Sequence, residues 1–216
     1  MKKTFLTKLA ATAALVIGSC LPAAVSASAA LQPASTLAEA EQVARHSYHF
    51  IIYKNSPYGE SIPEEQRLER LNRINLEVER IQKEYALNLP KVGRLHMIAR
   101  SRGIYNPEKD ELVFSTNNLE HTIRHEFGHV IDIKLGVNNQ EWKNLVRSLI
   151  SKYDFAPSNY ARNNDAEYWA EAFAYFTSPK YGKTVGRFPA ELENHLVKVL
   201  ATIKSGSTAN LAYNAR

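Results

Sequence analysis

Cysteine is almost absent from this chain, since its 216 residues include a single one, Cys20. A mature chain that begins at residue 30 has none, so disulfide bonds cannot hold its fold together. Internal repeats, low-complexity tracts and long linkers are also lacking after the N-terminal segment. The length is enough for one domain with a substantial core and too little for two. We therefore expect residues 30–216 to form a single domain.

The first 29 residues have the features of a secretory signal peptide. Three early lysines precede an apolar stretch from Leu9 to Val25, and Ala27-Ser28-Ala29 fits an A-x-A cleavage site. Gly18 and Pro22 weaken this stretch as a membrane span, and no cluster of charges follows it to stop transfer. We expect the segment to be cleaved, which leaves a secreted, extracellular protein with no stable membrane anchor.

Acylation of Cys20 is the alternative, because Ile17-Gly18-Ser19 loosely fits the sequence that precedes a bacterial lipoprotein cysteine. The apolar run continues from Leu21 to Val25, however, where lipoprotein signals usually turn polar. Lipid anchorage through Cys20 is thus the second interpretation of this segment.

A strong positive charge is also lacking once the signal peptide is removed. Cleavage takes away three lysines and no acids, so the formal net charge falls from +5 to +2. This small excess gives little reason to expect nucleic acid as a partner.

The hydrophobic spacing predicts an α+β fold that is mostly α, with one small sheet. Thr36 and Glu39 form a capping box that opens a helix towards Ile52, and Ser61 and Glu64 form a second box that opens a long amphipathic helix. Further helices are predicted over residues 118–135, 140–153, 165–176 and 189–204, and strands over residues 93–100, 103–105 and 112–114.

Two histidines four residues apart indicate a metal site on the helix predicted at 118–135. A helix places the imidazoles of His125 and His129 on one face, one turn apart, where both can bind a single ion. Glu126 is adjacent to the first histidine, where a carboxylate can act as a general base without binding the metal. The pattern is short, so two surface histidines on an ordinary helix are the alternative for these residues alone.

A catalytic zinc site that keeps one position open for water needs a third protein ligand. The helix predicted from Asp165 carries Glu167 and Glu171 on one face, among aromatic and small residues where an unpaired charge is costly. A cation or a hydrogen-bonded histidine is the usual partner of such a carboxylate. The alternative is a capping Asp165 followed by two solvated glutamates on an amphipathic helix.

These two helices resemble the lethal-factor-like zinc peptidases, which include the C-terminal domain of anthrax lethal factor and the secreted Pro-Pro endopeptidases of Gram-positive bacteria. The resemblance covers roughly residues 119–176. It rests on the sequence His-Glu-Phe-Gly-His followed by Asp132, on Tyr160 seven residues before Glu167, and on Glu-x-x-x-Glu-Ala-Phe. The length, signal peptide and single-domain layout are closer to the Pro-Pro endopeptidases. The resemblance implies a zincin-like single catalytic domain with a small mixed sheet and an HExxH active-site helix.

The resemblance also implies a set of site residues around one catalytic Zn²⁺ ion. The zinc ligands would be His125, His129 and Glu167. Glu126 would be the catalytic base, and Tyr160 would donate its hydroxyl to the oxyanion of the tetrahedral intermediate.

Glu171 and Asp132 would orient a ligand imidazole in the same pattern, although an ordinary acid near a helix end explains Asp132 equally well. His121 lies four residues before His125, so the spacing also permits a pair formed by these two histidines. Thr122 would then occupy the place of the base, and we expect His121 only to flank the motif. The remaining histidines are expected to be structural or solvated: His46, His49, His96 and His195.

The substrate implied by the resemblance is a protein or peptide, in particular a proline-rich surface protein cut at Pro-Pro bonds. We expect the protein to be a monomer. Zinc peptidases commonly hold substrate along an edge strand, expected here at residues 111–115 or 95–100. The family is expected to use an aromatic residue there, commonly tryptophan, but Trp142 and Trp169 lie in predicted helices. Tyr105 or Phe114 would replace it, and another cleavage specificity stays open.

Two further classes of protein stay open as well. One is a zinc-binding surface module without catalysis, which the intact Glu126 argues against because binding alone has no use for a base. The other is a helical interaction protein that binds no metal.

Overall fold

The computed structural model describes residues 31–48, 51–53, 56–60, 62–99, 103–114 and 118–204. The predicted signal peptide at residues 1–29, the alternative lipid anchor at Cys20, and Ser61 and His49 lie outside these ranges. The described residues form six α-helices and four short strands, so the mostly α fold with a small mixed sheet is confirmed. None of the described helices is both long enough and apolar enough to cross a bilayer.

The helices follow the predicted pattern closely in the second half of the chain. Their bounds are α1 Leu37–Tyr48, α2 Glu64–Glu84, α3 Leu119–Leu135, α4 Gln140–Tyr153, α5 Asp165–Phe176 and α6 Ala190–Lys204. A short 3-10 helix, Tyr160–Asn163, precedes α5. The predictions for α3 to α6 are confirmed to within one residue at each end.

The strands form one sheet with an antiparallel edge. Their bounds are β1 Ile51–Tyr53, β2 Arg94–Met97, β3 Ile104–Asn106 and β4 Glu111–Phe114, in the spatial order β1-β2-β4-β3. β1, β2 and β4 are parallel, whereas β3 runs antiparallel to β4. Because β2 and β4 each have partners on both sides, the prediction that one of them presents a free edge to substrate is wrong. β3 is the edge strand beside β4.

The first helix is shorter than its pattern predicts. The capping box is present, since the backbone N–H of Glu39 donates to Thr36 Oγ1 at 3.2 Å and the backbone N–H of Thr36 donates to Glu39 Oε2 at 3.1 Å. α1 nevertheless ends at Tyr48, and the prediction of a helix towards Ile52 is wrong. Ile51–Tyr53 instead form a strand that pairs in parallel with β2. β-Branched and aromatic residues adopt strands readily when a partner strand is present.

The buried side chain of Arg124 joins α3 to two neighbouring helices. Arg124 of α3 donates to Oε1 of Glu77 in α2 at 2.6 Å and to the backbone carbonyl of Ala174 in α5 at 2.8 Å. Arg124 and Glu77 are 6% and 7% exposed. One guanidinium therefore holds the helix of the His-Glu-x-x-His sequence in place from both sides.

Candidate metal centre

The candidate metal centre lies where α3 faces α5. His125 Nε2 lies 3.1 Å from His129 Nε2 and 3.1 Å from Glu167 Oε2, and His129 Nε2 lies 3.3 Å from that same oxygen. Glu167 is in the first turn of α5, where the side chain of the N-cap residue Asn164 accepts hydrogen bonds from two backbone N–H groups. These three side chains form a group that could hold a metal ion.

Glu167 Oε2 has an unusual environment for a carboxylate oxygen. It is buried, and it makes no hydrogen bond with the described part of the chain, although the two imidazole nitrogens lie at ion-pair distance. A buried carboxylate oxygen is costly unless a cation lies beside it, and either a protonated imidazole or a metal ion can be that cation. The environment of this atom is therefore suited to a metal ion.

The pKa values of the same groups reflect their close approach. Burial by itself lowers the pKa of His125, but the carboxylates of Glu167 and Glu171 outweigh this effect and raise it to about 9. Burial raises the pKa of Glu167, but the nearby imidazoles of His125 and His129 outweigh it and bring the pKa down to about 2. The negative charge of the α5 carboxylates thus lies close to the imidazoles of α3.

A second group of side chains shares His125. Glu171 Oε1 lies 2.7 Å from His125 Nδ1 and 2.8 Å from His121 Nε2, and these three residues also could hold an ion. Both distances are those of charge-assisted hydrogen bonds, so this carboxylate is already satisfied by the protein. The group with Glu167 is therefore the better candidate for a metal. His121, which we expected only to flank the motif, contacts the site through Glu171.

Glu126 is buried in the wall of the site, with 4% of its surface exposed. Burial raises its pKa to about 7, against the opposing effects of His125, His129 and the backbone N–H of Tyr105. The backbone of Gly103 packs so closely that a Cβ there would overlap the same carboxylate. A carboxylate with a pKa near neutrality is suited to act as a general base.

Tyr160 begins the 3-10 helix and lies beside the histidines. Its ring centroid is 5.8 Å from that of His125, and 47% of its surface is exposed. A tyrosine that is exposed next to the candidate metal group can donate its hydroxyl to a bound molecule. The position of Tyr160 is therefore compatible with the role that the resemblance implies.

Two adjoining clefts, of about 370 Å³ and 250 Å³, open on His125 and Glu126. Ile104 of β3 and Ile133 of α3 line the larger cleft and are 42% and 57% exposed, although both are large apolar residues. Exposed apolar side chains at a polar centre indicate a binding surface for an apolar group.

The aromatic residues considered for the substrate site have different positions. Tyr105 lines the larger cleft, and its hydroxyl donates to Asp110 Oδ1 at 3.0 Å. Phe114 is 1% exposed in the central strand β4 and belongs to the core. Trp142 and Trp169 lie in α4 and α5, as predicted, and are fully buried. Tyr105 is thus the only one of these four that lines either cleft.

Asp132 and the remaining histidines lie outside the two groups formed by described residues. Asp132 Oδ1 accepts a hydrogen bond from the backbone N–H of Asn138 at 2.6 Å, a contact that supports the end of α3 at Gly136. This contact favours the structural interpretation of Asp132. The other described histidines are His46 on an exposed part of α1, His96 buried in β2, and His195 packed on Trp142.

Two residues of the site were missed in the sequence. The Ser158 hydroxyl helps to lower the pKa of Glu171, and Gly103 packs on Glu126. Pro157-Ser158-Asn159 indicates a turn, and a glycine at the start of a strand is compatible with close backbone approach. Neither pattern shows which carboxylate the residue contacts, because both contacts join segments far apart in the chain.

In comparisons with known proteins, the chain matched no family model, no curated protein and no solved structure. The function has to be inferred from the chemistry of the residues that α3, α5 and β3 bring together.

Proposed function

We propose that this protein is a secreted zinc-dependent endopeptidase of the lethal-factor-like type, with a zincin-like fold, that hydrolyses peptide bonds in proline-rich proteins. The observation that carries the proposal is the convergence of His125 Nε2, His129 Nε2 and Glu167 Oε2 within 3.1–3.3 Å of one another, beside a buried glutamate.

The donor set fits zinc. Two imidazoles and one carboxylate are typical ligands of catalytic zinc, and they leave one coordination position open. Ligand atoms at about 2.0–2.2 Å from a tetrahedral ion lie roughly 3.3 Å from each other, close to the separations of 3.1–3.3 Å between the three atoms. Zinc bound there would supply Lewis acidity, which polarises a carbonyl and lowers the pKa of water towards neutrality.

The chain itself supplies the other functions that hydrolysis needs. Glu126 would accept a proton from the attacking water, because its pKa lies near neutrality. Glu171 would orient His125 through Nδ1, so that Nε2 faces the other two ligands. Tyr160 would donate its hydroxyl to the oxyanion that forms from the scissile carbonyl.

The shape of the larger cleft supports a peptide substrate with compact apolar side chains. A peptide could lie antiparallel to β3, whose Tyr105 faces the cleft, and place side chains against Ile104 and Ile133. Proline offers a compact apolar ring of this kind. Hydrolysis of the bond between two prolines is the narrower form of the proposal, and a lethal-factor-like protease with another specificity is the second candidate.

A zinc-binding module without catalysis is less well supported. Burial of Glu126 raises its pKa to about 7, so its charged form carries a free-energy cost in this position. The other three residues could bind zinc without a buried carboxylate at position 126, whereas a general base requires one.

The test combines metal analysis with a cleavage assay. Purified wild-type protein should carry about one equivalent of zinc and cut a proline-rich peptide library, with the cleavage positions measured by mass spectrometry. Glu126→Gln is the matched variant: it should keep the zinc and lose about 100-fold or more in rate.

The outcomes separate the candidates. Less than about half an equivalent of zinc after gentle purification contradicts the metal site. Zinc without cleavage supports the binding module, and cuts elsewhere than at Pro-Pro bonds support the broader peptidase alone.

A further inference from the structure

The two clefts meet at the candidate metal centre. Four residues line both clefts and mark their junction: Gly103, His125, Glu126 and Tyr160. On one side of this junction, the larger cleft includes the exposed apolar side chains of Ile104 and Ile133. On the other side, the residues that only the smaller cleft adds are polar: His121, Thr122 and Glu171. A peptide that passes through the centre therefore meets apolar side chains in one cleft and a polar wall in the other.

The clefts also have a fixed order along α3 and β3. Thr122 lies in the first turn of α3 and Ile133 lies near its end, about 16 Å away at 1.5 Å per residue. β3 runs in the same direction. A Cβ on Gly103, which immediately precedes β3, would overlap the methyl group of Thr122. Asp110, in the turn after β3, pairs with Lys134 at 2.8 Å. The smaller cleft thus lies at the beginning of both elements, and the larger cleft lies further along them.

This order gives a bound peptide a direction. The proposed peptidase function, on which the inference rests, places substrate antiparallel to β3, so the peptide runs from the larger cleft to the smaller one. Residues before the scissile bond then lie near Ile104 and Ile133, and residues after it lie near His121. An extended chain advances about 3.3 Å per residue, so two to three residues on each side of the scissile bond reach both clefts.

We propose that the smaller cleft is a polar subsite for one of the two residues that follow the scissile bond, and that His121 makes it select a hydroxyl or amide side chain. The side chain of His121 is 18% exposed, and Nε2 lies 2.8 Å from Glu171 Oε1, a contact that fixes the orientation of the ring. A hydroxyl or an amide both donates and accepts hydrogen bonds, so either pairs with an imidazole of either tautomer. An apolar side chain would remove water from the imidazole and supply no hydrogen bond in return.

The test compares peptides that differ in one side chain of similar shape. Peptides based on the library sequence that is cut fastest carry threonine or valine, or asparagine or leucine, at the first or second position after the scissile bond. Each pair is cut in competition, so the ratio of kcat/KM values does not depend on the amount of active enzyme. Wild type should prefer the polar member of a pair about 10-fold at one of these positions.

Variants on α3 separate the two clefts. His121→Phe keeps an aromatic ring against Tyr175, whose centroid lies 4.8 Å away, and should reduce the polar preference below about twofold whatever its absolute rate. His121→Gln keeps a hydrogen-bonding group and should retain most of the preference. Ile133→Ala is the matched control in the larger cleft. It should leave the preference after the scissile bond unchanged and weaken the preference for leucine over alanine before that bond.

Binding to Glu126→Gln supplies a readout that needs no hydrolysis. Calorimetric titration with the same peptide pairs should show tighter binding of the polar member, about 5-fold, and His121→Phe in that background should remove the difference. If wild type cleaves no peptide, the peptidase proposal fails. The pair Pro-Pro-Asn and Pro-Pro-Leu then serves in the binding assay, which still decides whether the subsite exists.

The inference is supported by a polar preference after the scissile bond that His121→Phe abolishes and Ile133→Ala retains. It is overturned by an apolar preference at both positions, by a polar preference that His121→Phe leaves unchanged, or by equal binding of both members of every pair.

Discussion

The backbone of Gly128 on α3 lies against that of Ala170 on α5, so closely that a Cβ atom on Gly128 would come within 2.8 Å of the Ala170 Cα. The Nε1–H of Trp169 donates to the carbonyl of Gly128 at 2.8 Å and fixes the same crossing. His129 and Glu167 flank this contact on their own helices. The close crossing therefore sets the distance across which the histidines meet the carboxylates.

Gly128→Ala should separate the two helices, because the new Cβ would collide with the Cα of Ala170, a backbone atom that cannot rotate away. We expect a loss of about 1–2 kcal/mol in the free energy of unfolding and weaker zinc binding, measured by urea titration and by chelator competition. Gly186→Ala is the matched control, since no atom lies within 4 Å of a Cβ there. Wild-type zinc affinity in Gly128→Ala would show that the crossing does not set the site.

Gly103→Ala should affect activity more than stability. Its Cβ would overlap the Glu126 carboxylate and the Thr122 methyl group, and the carboxylate is the end of a flexible side chain that can move aside. We expect peptide hydrolysis to slow about 10-fold or more, because the base is displaced, while zinc content and the midpoint of thermal unfolding stay near wild type. Hydrolysis at the rate of the Gly186→Ala control would contradict this placement of Glu126.

Glu77→Gln should destabilise the protein strongly, because it leaves the buried guanidinium of Arg124 without its 2.6 Å charge partner. Removal of one partner from a buried ion pair costs about 3 kcal/mol. Glu69→Gln, on the exposed side of the same helix α2, removes a 3.9 Å pair with Arg73 and should cost less than about 0.5 kcal/mol. Urea titration of both variants measures the difference, and equal losses would contradict a role for burial.

Glu111 should make stability depend on pH in the acid range. The Tyr58 hydroxyl at 2.6 Å and the Arg94 guanidinium at 2.8 Å hold the pKa of this buried carboxyl below its ordinary value of 4.5. The ionised form is favoured in the folded state, so its contribution is complete above the ordinary pKa and is lost as the pH falls through the lowered one.

The measurement compares the free energy of unfolding of wild type and Glu111→Gln between pH 7 and pH 3. At neutral pH, Glu111→Gln should have a free energy of unfolding about 1.5 kcal/mol below that of wild type, and this difference should shrink in acid. Tyr58→Phe, which removes the first of the two donors, should differ from wild type by less, and its difference should shrink over the same pH range. If the difference between wild type and Glu111→Gln does not vary with pH, ionisation of Glu111 does not cause the loss of stability in acid.

Local patterns in the sequence predicted most of the helical elements. The spacing of apolar residues, the capping box at Thr36 and the stop at Gly136 depend on neighbours within a few residues, and the structure confirms α3 to α6 nearly to the residue. The same local spacing predicted that His125 and His129 share a face, because the period of a helix is independent of its surroundings.

The parts that local patterns could not predict depend on contacts between distant segments. Residues towards Ile52 have a helical pattern, but pairing with β2 makes them a strand. The strand order places β3 at the edge, and the crossing of Gly128 over Ala170 brings Glu167 and Glu171 to the histidines. Gly103 gains its role from the carboxylate of Glu126 on another element. Hydrogen bonds and close packing between residues far apart in the chain produce no periodic pattern in the sequence, so only the tertiary structure reveals these contacts.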